Sequence, residues 1–163
     1  METTQSKAVT VYVGADISKD TIAICYHSGE QSINTTIDNT PKAIQRFVKT
    51  MKVKKGAVLH FIMEATGSYS KTLYITLRDL KIRFTQLNPR YSHAFAQSCG
   101  VLDKTDKKDA NLLEEYGYRL TPMPTMPDED LQIELKEHYM LRLALVEEQN
   151  GWKQRKHQQS HGV

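Results

Sequence analysis

Apolar and polar residues alternate along the first third of the chain, and this pattern predicts three β-strands. The first strand is predicted over residues 8–16, where every second residue is apolar and Asp16 stands last. A turn leads to a second strand over 21–27, and another turn leads to a more polar strand over 31–37. These three strands predict an antiparallel meander.

Strands alternate with helices in the next part of the chain. Thr40 and Pro41 carry helix-start chemistry, and the mainly apolar run 58–64, which ends on Glu64, predicts a buried strand. The further predicted elements are a helix from about Tyr69 capped by Thr66 or Ser68, a strand over 82–87 and a helix starting at Asn88 and Pro89. Such alternation implies parallel pairing with right-handed crossovers. The predicted fold class is therefore α/β, a mixed five-stranded sheet flanked by helices.

In the last third of the chain, this domain is predicted to end and a linker and a long helix to follow. A polar loop enters a helix with Thr105 as its N-cap, and three prolines mark a linker over 121–127. The domain is thus predicted over 8–120, followed by a long helix over 128–156 that starts a coiled-coil region and frays beyond Gly151. The stripe suited to a partner helix consists of Leu131, Leu135, Tyr139, Arg142 and Val146. A homo-oligomer formed through this helix follows as an expectation.

Composition limits the compartment and the chemistry. The chain has 163 residues, 39% of them hydrophobic, and no apolar run approaches the roughly 20 residues that span a bilayer. Because the polar start METTQSK also lacks a signal-peptide core, we expect a cytoplasmic protein with no membrane partner. Cys25 and Cys99 stand alone, so their spacing predicts neither a disulfide framework nor a zinc site.

Four carboxylates make up the candidate chemistry. Asp16 and Glu64 end predicted strands, and their side chains meet at one sheet edge if those strands are parallel neighbours. Asp106 and Asp109 lie three residues apart at a helix start. Taken singly, such acids have structural explanations, as a solvated strand end or as partners of the helix dipole. Brought together they would repel unless divalent cations lay among them, and two Mg²⁺ ions suit displacement at a phosphodiester. Gly14 is expected to leave room for a ligand.

Four ordered motifs carry a resemblance to a known family. They are 13–20 (VGADISKD), 63–70 (MEATGSYS), 88–90 (NPR) and 104–110 (KTDKKDA). Together they resemble the N-terminal domain of the DEDD transposases of the Piv/MooV DNA invertase group, also called the IS one-ten insertion-sequence family. The resemblance implies a RuvC-like domain with an RNase H fold and an acidic tetrad, Asp16, Glu64, Asp106 and Asp109, that holds Mg²⁺, with Mn²⁺ as a substitute. It also implies DNA recombination and a structured guide RNA, and we expect the family's C-terminal serine-bearing domain to be absent.

Several other side chains are candidate nucleic-acid contacts, each with a structural alternative. Arg90 and Tyr91 follow a strand end, where they suit a phosphate and a base or simply form a helix-start surface. Lys104, Lys107 and Lys108 flank the acidic pair and either neutralise phosphates or pair locally. A basic stretch over 42–55, which includes Lys49 and Lys52, is either a phosphate-contacting face or a solvated helix surface.

The sequence is also compatible with two other functions, and His60 has two interpretations. A non-catalytic DNA- or RNA-binding and oligomerisation module would use the basic stretch and the last helix. An ATPase of the actin or sugar-kinase type also uses an aspartate in its first hairpin, but the eight glycines here form no phosphate loops. His60 shares the strand face of Glu64 and could support it, although a core histidine is the favoured interpretation.

Overall fold

The computed structural model describes residues 9–65, 67–100, 106–126 and 130–160; the side chains of 106–108, 130, 131, 133, 134, 136, 137, 154 and 156–160 lie outside the description. The strands are β1 (Thr10–Ile17), β2 (Thr21–Ser28), β3 (Gln31–Asp38), β4 (Val58–Glu64) and β5 (Arg83–Leu87). The helices are α1 (Pro41–Thr50), α2 (Lys71–Asp79), α3 (Pro89–Ser98), α4 (Asp106–Leu120) and α5 (Asp130–Ser160).

The strands form one sheet in the order β3-β2-β1-β4-β5. β1, β2 and β3 pair antiparallel, as the predicted meander requires, whereas β4 pairs in parallel with both β1 and β5. The predicted mixed five-stranded α/β sheet is therefore confirmed.

Helices lie on both faces of the sheet. On one face, Phe47 of α1 packs edge-on against Tyr26, and Tyr74 of α2 packs in the same way against Phe84. On the other face, Leu113 of α4 joins a buried cluster of side chains from β1, β4 and β5. Asp16, Glu64 and Gly14 lie on this second face by the alternation of their strands, so α4 covers the face of the sheet that carries the candidate site.

The approach of α4 to β1 is unusually close at two glycines. A β-carbon on Gly14 would lie 2.6 Å from the backbone nitrogen of Glu114, so the helix backbone fills the space that a side chain would need. A β-carbon on Gly117 would lie 2.6 to 2.9 Å from atoms of Tyr12. The expectation that Gly14 leaves room for a ligand is therefore wrong, because Ala110 and Glu114 occupy that room.

These two contacts also give the direction of α4. The late helix residue Gly117 lies over the early strand residue Tyr12, and the earlier helix residue Ala110 lies over the later strand residue Gly14. The helix thus runs antiparallel to β1. Its first turn therefore points toward the end of β1 that carries Asp16.

Gly117→Ala is expected to cost about 1 to 3 kcal/mol of the free energy of unfolding, because its methyl group would overlap the Tyr12 side chain. Because Tyr12→Leu removes the ring that this methyl group would overlap, adding it should recover part of the lost free energy of unfolding. Urea unfolding of both single variants and of the double variant measures the coupling. Strictly additive losses would contradict the close contact.

Two helix termini differ from their predictions. Residues Gly67–Ser70 form a 3₁₀ turn, and α2 begins only at Lys71 with Ser70 at its N-cap and no side-chain cap bond. Ser68 is therefore not the cap, and Thr66 lies outside the described residues. The tail after Gly151 is helical, since α5 continues to Ser160. A single glycine costs a helix only about 1 kcal/mol, and the lysine, arginine and glutamine residues that follow favour helix.

The segment after α4 lies along the edge of the sheet. The backbone nitrogen of Thr125 donates to the Phe84 carbonyl at 2.8 Å, and its hydroxyl accepts from the Gln86 nitrogen at 2.9 Å. The chain divides into a sheet unit that ends at Thr125 and a helical unit that begins at Met126. Within the described part of the chain, none of the helices combines enough length with enough apolar residues to cross a membrane.

Candidate functional site

Asp16 and Glu64 stand at the same edge of the sheet. β1 and β4 are parallel neighbours with Ala15 opposite Met63, and the two acids are the next residue along each strand. Neighbouring strands lie about 4.8 Å apart, so the two carboxylates leave the sheet side by side. Both residues are half-buried. The condition under which Asp16 and Glu64 meet at one sheet edge, namely that their strands are parallel neighbours, is therefore met.

The start of α4 supplies the second pair of acids. The helix begins at Asp106, as predicted, and Asp109 is half-buried and directly precedes Ala110, whose backbone packs on Gly14. Gly14 and Asp16 share one face of β1, so Asp109 lies on the helix that covers that face. The side chain of Asp106 lies outside the described residues, as do Lys104 and Thr105 entirely and the side chains of Lys107 and Lys108.

Glu64 has a buried partner that the sequence analysis missed. The Ser92 hydroxyl donates to Glu64 Oε1 at 2.5 Å, and Ser92 is only 3% exposed. A serine in a helix gives little signal by itself. The signal that could have found it is its place two residues beyond the 88–90 motif, in the first turn of a helix that starts beside Glu64.

The donor chemistry of these acids fits Mg²⁺. Among the described residues, no three His, Cys, Asp or Glu side chains form a group that could hold a metal ion. Mg²⁺, however, is usually held by one or two carboxylates together with water and substrate phosphates, rather than by a cage made of protein alone. Paired carboxylates at neighbouring strand ends provide that kind of partial site.

The predicted nucleic-acid contacts separate into two groups. Arg90 and Tyr91 are exposed in the first turn of α3, the turn that also carries Ser92, the hydrogen-bonding partner of Glu64. Lys49 and Lys52 are exposed at the far end of α1, which leads to the start of β4. That start is the sheet edge opposite the carboxylates, so the structure does not bring these two lysines to the candidate site.

His60 is a core residue, as favoured from the sequence. It is 4% exposed, and its Nε2 lies 2.8 Å from the Thr85 hydroxyl oxygen. Burial, and next the positive charge of Arg83, lower the pKa of His60 to about 4. This histidine therefore stays neutral and supports packing rather than chemistry.

A buried acid on the same helix lies away from the candidate site. Glu114 is 4% exposed, and its Oε1 lies 2.7 Å from Nδ1 of His27 on β2. Burial raises the pKa of Glu114, while the hydrogen bond and charge of His27 oppose that rise. The pair borders an open groove of about 590 Å³, which Tyr118 also lines. Because the two residues are 87 positions apart, no local sequence pattern indicated the pairing.

Comparison with known proteins decides the family. The model of the DEDD transposase family of the IS110 type, described as "Transposase", matches residues 13–159. The chain belongs to this transposase family. The pilin gene-inverting proteins of Moraxella bovis and Moraxella lacunata are each 32% identical to it over 140 residues, which cover 81% of this chain and 44% of theirs. The chain thus spans less than half the length of these relatives.

The fold is a mixed five-stranded α/β sheet, as predicted, with the strand order described above. Among solved structures, the chain is similar to Thermus thermophilus RuvC, whose structure is titled as a complex with a Holliday junction substrate, at a TM-score of 0.45 and 10% identity. That similarity covers 71% of this chain and 99% of the RuvC chain.

Proposed function

We propose that this chain is the catalytic domain of a DNA transposase or site-specific recombinase, in which Asp16, Glu64, Asp106 and Asp109 bind Mg²⁺ or Mn²⁺. The observation that carries the proposal is the parallel pairing of β1 with β4, which brings Asp16 and Glu64 to the same edge of the sheet, on the face that α4 covers. Membership in the transposase family supports phosphodiester cleavage and strand transfer as the reaction class.

In the proposed site, different residues bind the metal ions and contact the DNA. When bound, the metal ions would activate the attacking hydroxyl and stabilise the leaving oxygen of the phosphodiester. Asp16 and Glu64 hold the ions from the sheet, and Asp106 and Asp109 hold them from α4. Arg90 offers a cation to a DNA phosphate, and Tyr91 offers an exposed ring for a base. Lys104, Lys107 and Lys108 would neutralise backbone phosphates beside the acids.

The partners follow from the same proposal. DNA is the substrate, in the cytoplasm, and a structured guide RNA is a further partner. A homo-oligomer would use α5, where Leu135, Tyr139 and Val146 of the predicted stripe are exposed in the helical unit. These exposed apolar residues also favour a second candidate function, a non-catalytic module that binds nucleic acid and assembles through this helix.

Asp16→Asn is expected to weaken Mn²⁺ binding by more than about 100-fold, because the loss of a ligand should exceed the roughly 10- to 100-fold cost of losing only a ligand's hydrogen-bonding partner. The measurement is calorimetric titration of Mn²⁺ into wild type and variant with a branched DNA duplex present. Asp20→Asn, in the exposed turn after β1, is the matched control and should bind as wild type.

Two results would count against the proposed function. Equal Mn²⁺ affinity in wild type and Asp16→Asn would mean that Asp16 is not a ligand. DNA binding that persists in Asp16→Asn and in EDTA, without metal uptake by the wild type, would favour the non-catalytic module.

A further inference from the structure

We propose that Ser92 is a positioning residue that holds the Glu64 carboxylate in the orientation needed to bind metal. This inference rests on the proposed function. The bond that carries it joins the Ser92 hydroxyl to Glu64 Oε1 at 2.5 Å, with Ser92 almost wholly buried and Glu64 half-buried. A hydrogen bond to an ionised oxygen is roughly twice as strong as one between neutral groups.

The short connection between β5 and α3 places Ser92 next to Glu64. Glu64 pairs with Leu87 at the end of β5, and the Leu87 carbonyl also accepts from the Ala65 nitrogen at 2.9 Å. The Asn88 side chain then caps α3 by accepting from the Arg90 nitrogen at 2.9 Å. The first turn of α3 is thus anchored directly after β5, the strand that pairs with β4 at Glu64, and Ser92 lies in that turn.

The hydroxyl of Ser92 has one hydrogen and two acceptors within reach. Glu64 Oε1 lies at 2.5 Å and the Pro89 carbonyl oxygen at 3.0 Å. The shorter, charged contact takes the hydrogen and turns Oε1 toward the helix, which leaves Oε2 for a cation. The Pro89 carbonyl gives the hydroxyl a second partner if Glu64 moves. Loss of the Glu64 bond therefore does not leave a buried hydroxyl unpaired.

If Ser92 had a purely structural role, the bond that matters would be the one from its hydroxyl to the Pro89 carbonyl. A serine hydroxyl that donates to the carbonyl three residues earlier is a local helix contact, and Ser98 in the same helix makes one with the Phe95 carbonyl at 2.7 Å. Ser98 is exposed, and the partner of its hydroxyl is a backbone carbonyl and not a carboxylate. It is therefore a matched control for the local contact without the contact to Glu64.

Ser92→Ala is expected to lower Mn²⁺ affinity about tenfold, as is typical when a ligand loses its hydrogen-bonding partner. Ser98→Ala should leave the affinity unchanged. Ser92→Thr keeps the hydroxyl and should retain most of the affinity. Calorimetric titration with branched DNA present gives the affinities of all three variants, and thermal unfolding of each shows whether it is folded.

The outcomes separate this inference from the proposed function. If Asp16→Asn loses Mn²⁺ binding but Ser92→Ala binds as wild type, the inference alone is overturned. If Asp16→Asn binds as wild type, the proposed function fails and the inference fails with it. If Ser92→Ala proves unstable, the threonine variant decides: retained affinity supports positioning by the hydroxyl, and lost affinity in a folded Ser92→Thr protein overturns it.

Discussion

Gly14→Ala is expected to lower the free energy of unfolding of the sheet unit by about 3 kcal/mol or more, the upper end of the range for overpacking. The new methyl group would meet backbone atoms of Ala110 and Glu114, and neither can move without shifting the whole of α4. Urea unfolding of wild type and variant measures the loss. Because α4 carries Asp109, the displaced helix should also weaken Mn²⁺ binding.

The matched control for this substitution is Gly29→Ala. Gly29 has a positive φ of 65° but nothing within 4 Å of the added carbon, so alanine there costs only about 1 to 2 kcal/mol of backbone strain. Trimming Tyr12, which should partly relieve Gly117→Ala, should give no relief at Gly14, where the obstacle is backbone. A Gly14→Ala protein as stable as wild type would contradict the close approach of α4 to β1.

The free energy of unfolding is expected to fall by about 3 kcal/mol between pH 7 and pH 4 because of the shifted pKa of His60. Its pKa is about 4 when folded and 6.5 when unfolded, so in this interval the unfolded chain binds the additional proton. The stabilisation is complete above pH 6.5 and is lost as the pH falls toward 4. The contacts agree with a neutral ring: the Thr85 hydroxyl donates to the Met123 carbonyl at 2.9 Å, so Thr85 accepts from His60 Nε2–H.

Urea unfolding of wild type and His60→Gln at several pH values between 7 and 4 isolates this effect. Carboxylates that titrate in the same interval contribute to both proteins, so the difference between the two pH profiles belongs to His60. His93→Gln, at an exposed position on α3, is the control and should follow the wild-type profile. Parallel profiles for wild type and His60→Gln would contradict a buried, neutral His60.

The sequence predicted the elements that depend on local pattern. Alternation gave the three antiparallel strands, and the run ending on Glu64 matches β4 in its full extent. The Thr40 cap is confirmed, since its side-chain oxygen accepts from the Ala43 nitrogen at 3.3 Å. The start of α3 at Pro89 is confirmed as well. Capping and periodicity are local, which is why they could be predicted without tertiary contacts.

The features that escaped prediction depend on which elements pack together. Gly14 is compatible with a ligand or with a helix, and only the path of α4 decides between them. Ser92 and Glu64 are 28 positions apart, and their contact depends on the pairing of β4 with β5. The tetrad itself stays a prediction, because the pairing of β1 with β4 brings together only Asp16 and Glu64.

The segment that ends at Thr125 makes the two edges of the sheet unequal. Along β5, the bonds to Phe84 and Gln86 use groups that would otherwise face outward, and Pro122 and Pro124 have no amide hydrogen to offer a further strand. Along β3, the outermost strand at the other end of the sheet, no such segment lies among the described residues. Growth of the sheet by strand addition from another chain, whether in assembly or in aggregation, is therefore expected at β3 and resisted at β5.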